Sequence, residues 1–124
     1  MKKSLLVVAA LLALGTAQAD TLKKIKDSGT VTMGVRESSG ALSYTLGDNK
    51  FVGYHIELCE RVIADLEKSL GTKIAVKYQP VTSQNRIPLV VNGTVDLECG
   101  STTNNATRQK DVAFAVTTFV EEVR

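Results

Sequence analysis

Three arginines and the hydroxyl-bearing residues beside them are the groups in this chain best suited to chemistry. Arg36 follows a strand-like run, and Arg86 and Arg108 lie in the polar stretches 82–88 and 100–108. A guanidinium group is a planar fork that binds a carboxylate through two parallel hydrogen bonds, and backbone N–H groups at a helix start add further anion donors. These residue types predict a site for a small molecule with two carboxylates, such as an acidic amino acid.

The spacing of these residues matters more than their number. A single arginine at a strand end is usually a surface residue, and Arg36 could simply pair with Glu37. Ser101, Thr102 and Thr103 could likewise be helix caps, since serine and threonine favour that position. Capping residues and anion-binding residues use the same free N–H groups, so the two interpretations remain compatible. The ligand hypothesis depends on all three arginines following equivalent strands.

Hydrophobic periodicity predicts the elements that would position these side chains. Alternating strands and helices are typical of an α/β fold with a mostly parallel sheet flanked by helices. The strand ends before Arg36, Ser83 and Ser101 would then gather on one edge, where open α/β sheets bind ligands. In chain order we predict a helix (20–29), a strand (30–35), a hairpin (42–46 and 51–54), a helix (55–70), a strand (74–80), a helix (86–91), a strand (95–99), a loop with a short helix (103–110) and an extended segment (112–120).

The N-terminus has the pattern of a cleaved secretory signal. Lys2 and Lys3 precede an apolar stretch (5–14), and residues 17–19 supply a small-x-small cleavage site. We therefore expect residues 1–19 to be a signal peptide and the product to be periplasmic. Without the two lysines, the 15 basic residues fall to 13, which equals the 13 acidic ones. A neutral chain gives no electrostatic case for nucleic acid or an anionic membrane as a partner.

The cysteines and the histidine do not suggest a metal or a cofactor. His55 is the single histidine, and no short cysteine pair occurs. Cys59 falls on the apolar stripe of the predicted helix (with Val62, Ile63, Leu66 and Leu70), and Cys99 falls in a predicted strand. An exported chain permits a disulfide, but two independent buried thiols are favoured here over a bridge. His55 is expected to be an ordinary residue in the first turn of its helix.

Catalytic motifs are not found. The sequence has no nucleophile elbow, phosphate loop or dinucleotide fingerprint. Ser101 has no histidine base near it in sequence. Glu98 sits in an apolar strand, where orienting an arginine is a better-supported role than acid–base chemistry.

The chain resembles the N-terminal part of family-3 periplasmic solute-binding proteins, above all the glutamate/aspartate-binding members that serve ABC transporters. The likeness covers essentially all of residues 20–124, and its last two stretches are typical of the acidic-ligand subgroup. The stretches that carry it are 34–39, 52–54 with the following helix, 82–89, and 98–105 with 108–110.

The resemblance implies a type II periplasmic-binding-protein fold, in which two lobes close on the ligand by a hinge. It implies that Arg108, Ser101 and Thr103 bind the α-carboxylate. The side-chain carboxylate of L-glutamate or L-aspartate is assigned to Arg36, Ser83 and Arg86. It further implies a monomer that delivers its ligand to the membrane subunits of an ABC permease.

Length is the departure from the family. Residues 20–124 correspond to the first lobe, truncated near the first hinge crossover, so we expect this chain alone to bind glutamate weakly or not at all. Two other functions stay open at this stage. One is an enzyme on the same fold, such as a periplasmic cyclohexadienyl dehydratase, which would need an acid/base group in the cleft. The other is the sensor module of a signalling receptor.

Overall fold

The computed structural model describes residues 20–122, so the predicted signal peptide lies outside the described residues. None of the helices in this range is long and apolar enough to cross a membrane. In chain order the elements are α1 (Thr21–Ser28), β1 (Thr30–Val35), β2 (Tyr44–Thr45), β3 (Phe51–Val52), α2 (Tyr54–Leu70), β4 (Ala75–Pro80), α3 (Arg86–Val91), β5 (Leu97–Glu98) and a short 3-10 helix (Arg108–Lys110).

The main sheet has three parallel strands in the order β4–β1–β5. Strand β1 lies in the middle, where Gly34 is opposite both Gln79 and Glu98. Strands β2 and β3 pair antiparallel in the predicted hairpin. The parallel sheet flanked by helices confirms the predicted α/β class, and its three carboxyl ends meet at one edge.

The helix boundaries follow local capping rules. The Asp20 carboxylate accepts a hydrogen bond from Lys23 N at 3.1 Å and so caps α1. Gly29 and Gly71 end α1 and α2 in the left-handed conformation, with φ of 62° and 64°. These positions agree with the helix ends predicted from the sequence.

Helix α2 packs on β1 to form the core, whose buried members include Val31, Met33, Ile56 and Ile63. Val62 was predicted on the same apolar face, and that prediction was wrong because its side chain is 57% exposed. Each residue turns the helix by about 100°, so Val62 lies beside the buried stripe rather than on it.

The predicted extended segment 112–120 forms no strand in the described structure. Its composition suits a strand, yet a strand exists only where a neighbouring backbone supplies hydrogen bonds. The segment instead contacts the start of α2 through Thr118, whose carbonyl accepts from Tyr54 Oη at 3.4 Å.

The prediction of two independent thiols was also wrong, because Cys59 and Cys99 form a disulfide with their Cα atoms 6.4 Å apart. Both residues were expected to be buried, and the partly buried Cys59 and the buried Cys99 meet where α2 covers the end of β5. Burial on facing elements brought the two sulfurs together over a sequence separation of 40 residues.

Candidate ligand site at the carboxyl edge of the sheet

Arg36 is the first residue after β1 and is held against the end of β4. Its guanidinium Nη1 donates to Val81 O at 2.8 Å, and its Nε donates to Ser39 Oγ at 3.1 Å. Its backbone N–H donates to the fully buried Ser43 Oγ at 2.9 Å. These contacts fix both the backbone and the side chain of Arg36 at the sheet edge.

A cavity of about 290 Å³ opens beside Arg36. Its walls are residues 36–38 after β1 and residues 80–84 at the end of β4 and just after it, which include Ser83. The volume lies near the lower limit of small-molecule sites, roughly 300 Å³. The structure therefore brings two of the predicted site residues, Arg36 and Ser83, to the same cavity.

Arg86 begins α3 and is almost fully buried, with 6% of its surface exposed. Its Nη1 lies 3.9 Å from Glu98 Oε1, and the Glu98 side chain is itself 12% exposed. Nevertheless, Arg86 Nε, Arg86 Nη1 and Glu98 Oε1 have no hydrogen-bond partner in the described structure. Buried donors without partners cost about 1–3 kcal/mol or more when charged, so they mark a place where another acceptor would bind favourably.

Electrostatics connect Arg86 to the other two arginines. Burial lowers the pKa of the Arg86 guanidinium, the nearby Glu98 carboxylate opposes this effect, and the positive charges of Arg108 and Arg36 lower the pKa further. Arg36 and Arg108 thus lie close enough to Arg86 for their positive charges to repel its own. An anion bound among them would relieve that repulsion.

The loop after β5 wraps closely around this cluster. A Cβ atom at Gly100 would collide with Glu98 Oε1 and Arg36 Cγ, so only glycine fits between them. Ser101 Oγ lies 2.9 Å from Ser39 Oγ, the hydroxyl that accepts from Arg36. A hydrogen-bonded chain therefore runs from Arg36 through Ser39 to Ser101.

The hydroxyls of this loop do not act as helix caps. Ser101 bonds to Ser39, and Thr102 Oγ1 donates to Glu98 Oε2 at 2.7 Å. These contacts leave the capping interpretation without support for Ser101 and Thr102.

Arg108 lies at the far end of the same loop, at the start of the 3-10 helix. Its Nη1 donates to Thr103 O at 2.9 Å, and its backbone N–H donates to Asn105 Oδ1 at 3.0 Å. The predicted residues Thr103 and Arg108 are thus in direct contact.

His55 contacts the loop after β5, which the sequence analysis did not predict. Its Nδ1 lies 2.5 Å from Gly100 O, and its Nε2 lies 2.8 Å from Thr118 Oγ1. These contacts span 45 and 63 residues, and nothing in the local sequence around a first-turn histidine indicates such distant partners. Across residues 20–122, no group of three His, Cys, Asp or Glu side chains could hold a metal ion.

Residues 31–123 match the bacterial extracellular solute-binding proteins of family 3. The chain belongs to this family. It is 44% identical to the glutamate/aspartate import solute-binding protein of Escherichia coli K12, over 99% of this chain and 44% of that protein. It is 50% identical to the L-glutamate/L-aspartate-binding protein of Pseudomonas aeruginosa, over 91% of this chain and 39% of that protein. The chain therefore spans less than half the length of these relatives.

Solved structures of type II periplasmic binding proteins share the fold. The solute receptor for L-cysteine of Neisseria gonorrhoeae matches with a TM-score of 0.65 and 26% identity, over 76% of this chain and 37% of that chain. The ancestral amino-acid-binding protein AncCDT-1, a precursor of cyclohexadienyl dehydratase, matches with a TM-score of 0.60 and 27% identity, over 73% of this chain and 37% of that chain. Domain 1 from TmArgBP in an arginine-bound form, at 21% identity, matches in fold with a TM-score of 0.65, over 79% of this chain and 71% of that chain.

Proposed function

We propose that this chain forms the first lobe of a periplasmic protein that binds L-glutamate or L-aspartate for delivery to an ABC transporter. The names of the relatives at 44% and 50% identity support this ligand class. Membership of an extracellular solute-binding family supports export and a membrane permease as the partner. We expect the protein to act as a monomer without a cofactor.

The buried Arg86 guanidinium, whose Nε and Nη1 have no hydrogen-bond acceptor among the described residues, is the observation that carries the proposal. A buried charge is tolerated when it is paired and hydrogen-bonded, and Glu98 at 3.9 Å supplies only a long ion pair. A ligand carboxylate bound beside the guanidinium would supply further compensating negative charge. Repulsion from Arg36 and Arg108 makes the same position unfavourable for a cationic ligand.

We assign the two ligand carboxylates to opposite ends of the arginine cluster, which consists of Arg36, Arg86 and Arg108. Arg108, Ser101 and Thr103 bind the α-carboxylate, which every amino acid has. Arg36, Ser83 and Arg86 bind the side-chain carboxylate, which only acidic amino acids have. Two observations support this assignment: Arg36 and Ser83 line the same cavity, and Arg108 contacts Thr103.

An enzyme on the same fold is the second candidate, and the likeness to a precursor of cyclohexadienyl dehydratase favours it. Such an enzyme needs an acid or base that can reach the substrate. The ionisable groups nearest the loop already have protein partners: Glu98 Oε2 accepts from Thr102 and Glu98 Oε1 faces Arg86 at 3.9 Å, while His55 contacts Gly100 and Thr118. This arrangement favours binding over catalysis.

The test is a titration of the isotope-labelled chain with L-glutamate, L-aspartate and L-glutamine, followed residue by residue in amide NMR spectra. Because these six residues belong to one lobe, we expect weak binding of both acids, with a Kd on the order of 1 mM, or about −4 kcal/mol. The shifts should concentrate at residues 36, 83, 86, 101, 103 and 108. L-Glutamine is the matched control, since it has nearly the same size without the second charge. Equal shifts with glutamine, or shifts from the two acids that lie outside these six residues, would overturn the proposal.

A further inference from the structure

We infer that His55 is a positioning residue for the proposed ligand loop, the loop after β5 that contains Ser101 and Thr103, because it orients the peptide that joins Gly100 to Ser101. The inference rests on the proposed function. It adds to that function a residue from outside the arginine cluster, on a different element of the fold.

The contact between His55 and Gly100 fixes the proton on the imidazole. A carbonyl oxygen only accepts hydrogen bonds, so His55 Nδ1, which lies 2.5 Å from Gly100 O, must carry the proton. In the neutral ring, Nε2 then accepts from the Thr118 hydroxyl, 2.8 Å away. Both ring nitrogens are therefore occupied, and the imidazole has a single orientation that satisfies both.

The peptide geometry carries this orientation to Ser101. A trans peptide is planar, and its C=O and N–H groups point in opposite directions. When Gly100 O faces His55, the Ser101 N–H must face away from the imidazole. Within the described residues this N–H donates to no other group, so it is available to a ligand carboxylate.

The loop does not fix this orientation by itself. Gly100 is a glycine enclosed by Glu98 and Arg36, and glycine has the widest backbone freedom of any residue. Helix α2 limits this freedom from one face. Cys59 of α2 is bonded to Cys99, and His55 of α2 contacts Gly100, the residue after Cys99. The disulfide fixes the position of the chain, and the imidazole fixes the rotation of the next peptide.

Two substitutions separate this role from a general effect on folding. His55→Asn keeps a donor near the place of Nδ1, whereas His55→Gln keeps a polar group near the place of Nε2 and loses the donor to Gly100. We expect His55→Gln to weaken L-glutamate binding about fivefold, the equivalent of one hydrogen bond, while His55→Asn restores most of the affinity. Thr118→Val is the matched control, because it removes only the Nε2 contact and should leave the affinity within about twofold.

The experiment measures L-glutamate affinity of the full chain and these variants by amide NMR, together with the tautomer of His55 in the unsubstituted chain. A loss of glutamate affinity in His55→Gln together with its recovery in His55→Asn supports the inference, as does a proton on His55 Nδ1. Equal affinities in the two variants, or a neutral ring protonated only on Nε2, overturn it. The tautomer is measured without any substitution, so a misfolded variant does not decide the outcome. If the unsubstituted chain binds L-glutamate and L-glutamine equally, the proposed function fails and this inference fails with it, whereas selective glutamate binding with equal affinities in the two variants defeats the inference alone.

Discussion

Cys59 of α2 and Cys99 form a disulfide that ties the core helix to the first residue after β5. The bond closes a loop of 40 residues that includes β4 and α3. A covalent link over that separation restricts the unfolded chain far more than the folded one.

Reduction of this disulfide should therefore lower the free energy of unfolding by about 4 kcal/mol, the value that chain entropy gives for a loop of this size. Urea unfolding with and without a reducing agent measures the difference. The double variant Cys59→Ser/Cys99→Ser is the control and should unfold like the reduced protein under both conditions. A protein whose unfolding midpoint ignores the reducing agent would show that the bond is absent or energetically unimportant.

Asp96 should be far more important for stability than its charge alone suggests. Its side chain is 2% exposed, and it accepts hydrogen bonds from Lys24 Nζ at 2.7 Å and from Thr32 N at 2.8 Å. Asp96→Ala leaves the Thr32 N–H and the Lys24 ammonium without this partner and should cost about 3 kcal/mol in unfolding free energy.

Asp65 provides the matched control, because it also pairs with a lysine, Lys68 at 2.8 Å, but 75% of its side chain is exposed. Asp65→Ala should change stability little, since water screens the exposed pair. Chemical unfolding of both variants gives the comparison. Similar losses in the two would mean that burial does not govern these ion pairs.

Tyr78 should titrate at unusually high pH. Its phenol donates to Glu60 Oε1 at 2.5 Å, and burial together with this bond raises the pKa of Tyr78 to about 12. The ordinary tyrosine pKa is about 10. Because the folded pKa is the higher one, the interaction stabilises the folded chain below pH 10, and that stabilisation is lost as the pH rises from about 10 through about 12.

Phenolate absorbance against pH measures this titration, and the Tyr78→Phe variant should lack the late step. If all tyrosines of the unsubstituted chain titrate together near pH 10, then the Tyr78 phenol is not held as the structure shows.

Much of the fold could be predicted because its signals are local. Alternation located β1, the spacing of Ile63 and Leu66 located α2, and Gly29 and Gly71 located two helix ends. The rule that parallel strands share a carboxyl edge then placed Arg36 and the loop after β5 in one region without any coordinates.

The remaining features depend on contacts between distant residues. The disulfide and the His55–Gly100 contact each join elements that lie far apart in sequence. Residues 112–120 have a strand-like composition, yet whether they form a strand depends on a neighbour that composition does not reveal. Val62 shows that local patterns also have limited precision, because Val62 is exposed whereas its neighbour Ile63 is buried in the core.

The central claim is that Arg108 recognises the carboxylate common to all amino acids, whereas Arg86 recognises the second carboxylate of acidic ones. The most direct test measures L-glutamate and L-glutamine affinity for the chain and for its Arg108→Ala and Arg86→Ala variants. The account predicts that Arg108→Ala abolishes binding of both ligands. Arg86→Ala should weaken glutamate binding at least about tenfold, as expected for a lost charge-assisted hydrogen bond, while glutamine binding changes little. Equal losses for both ligands in both variants would contradict the claim.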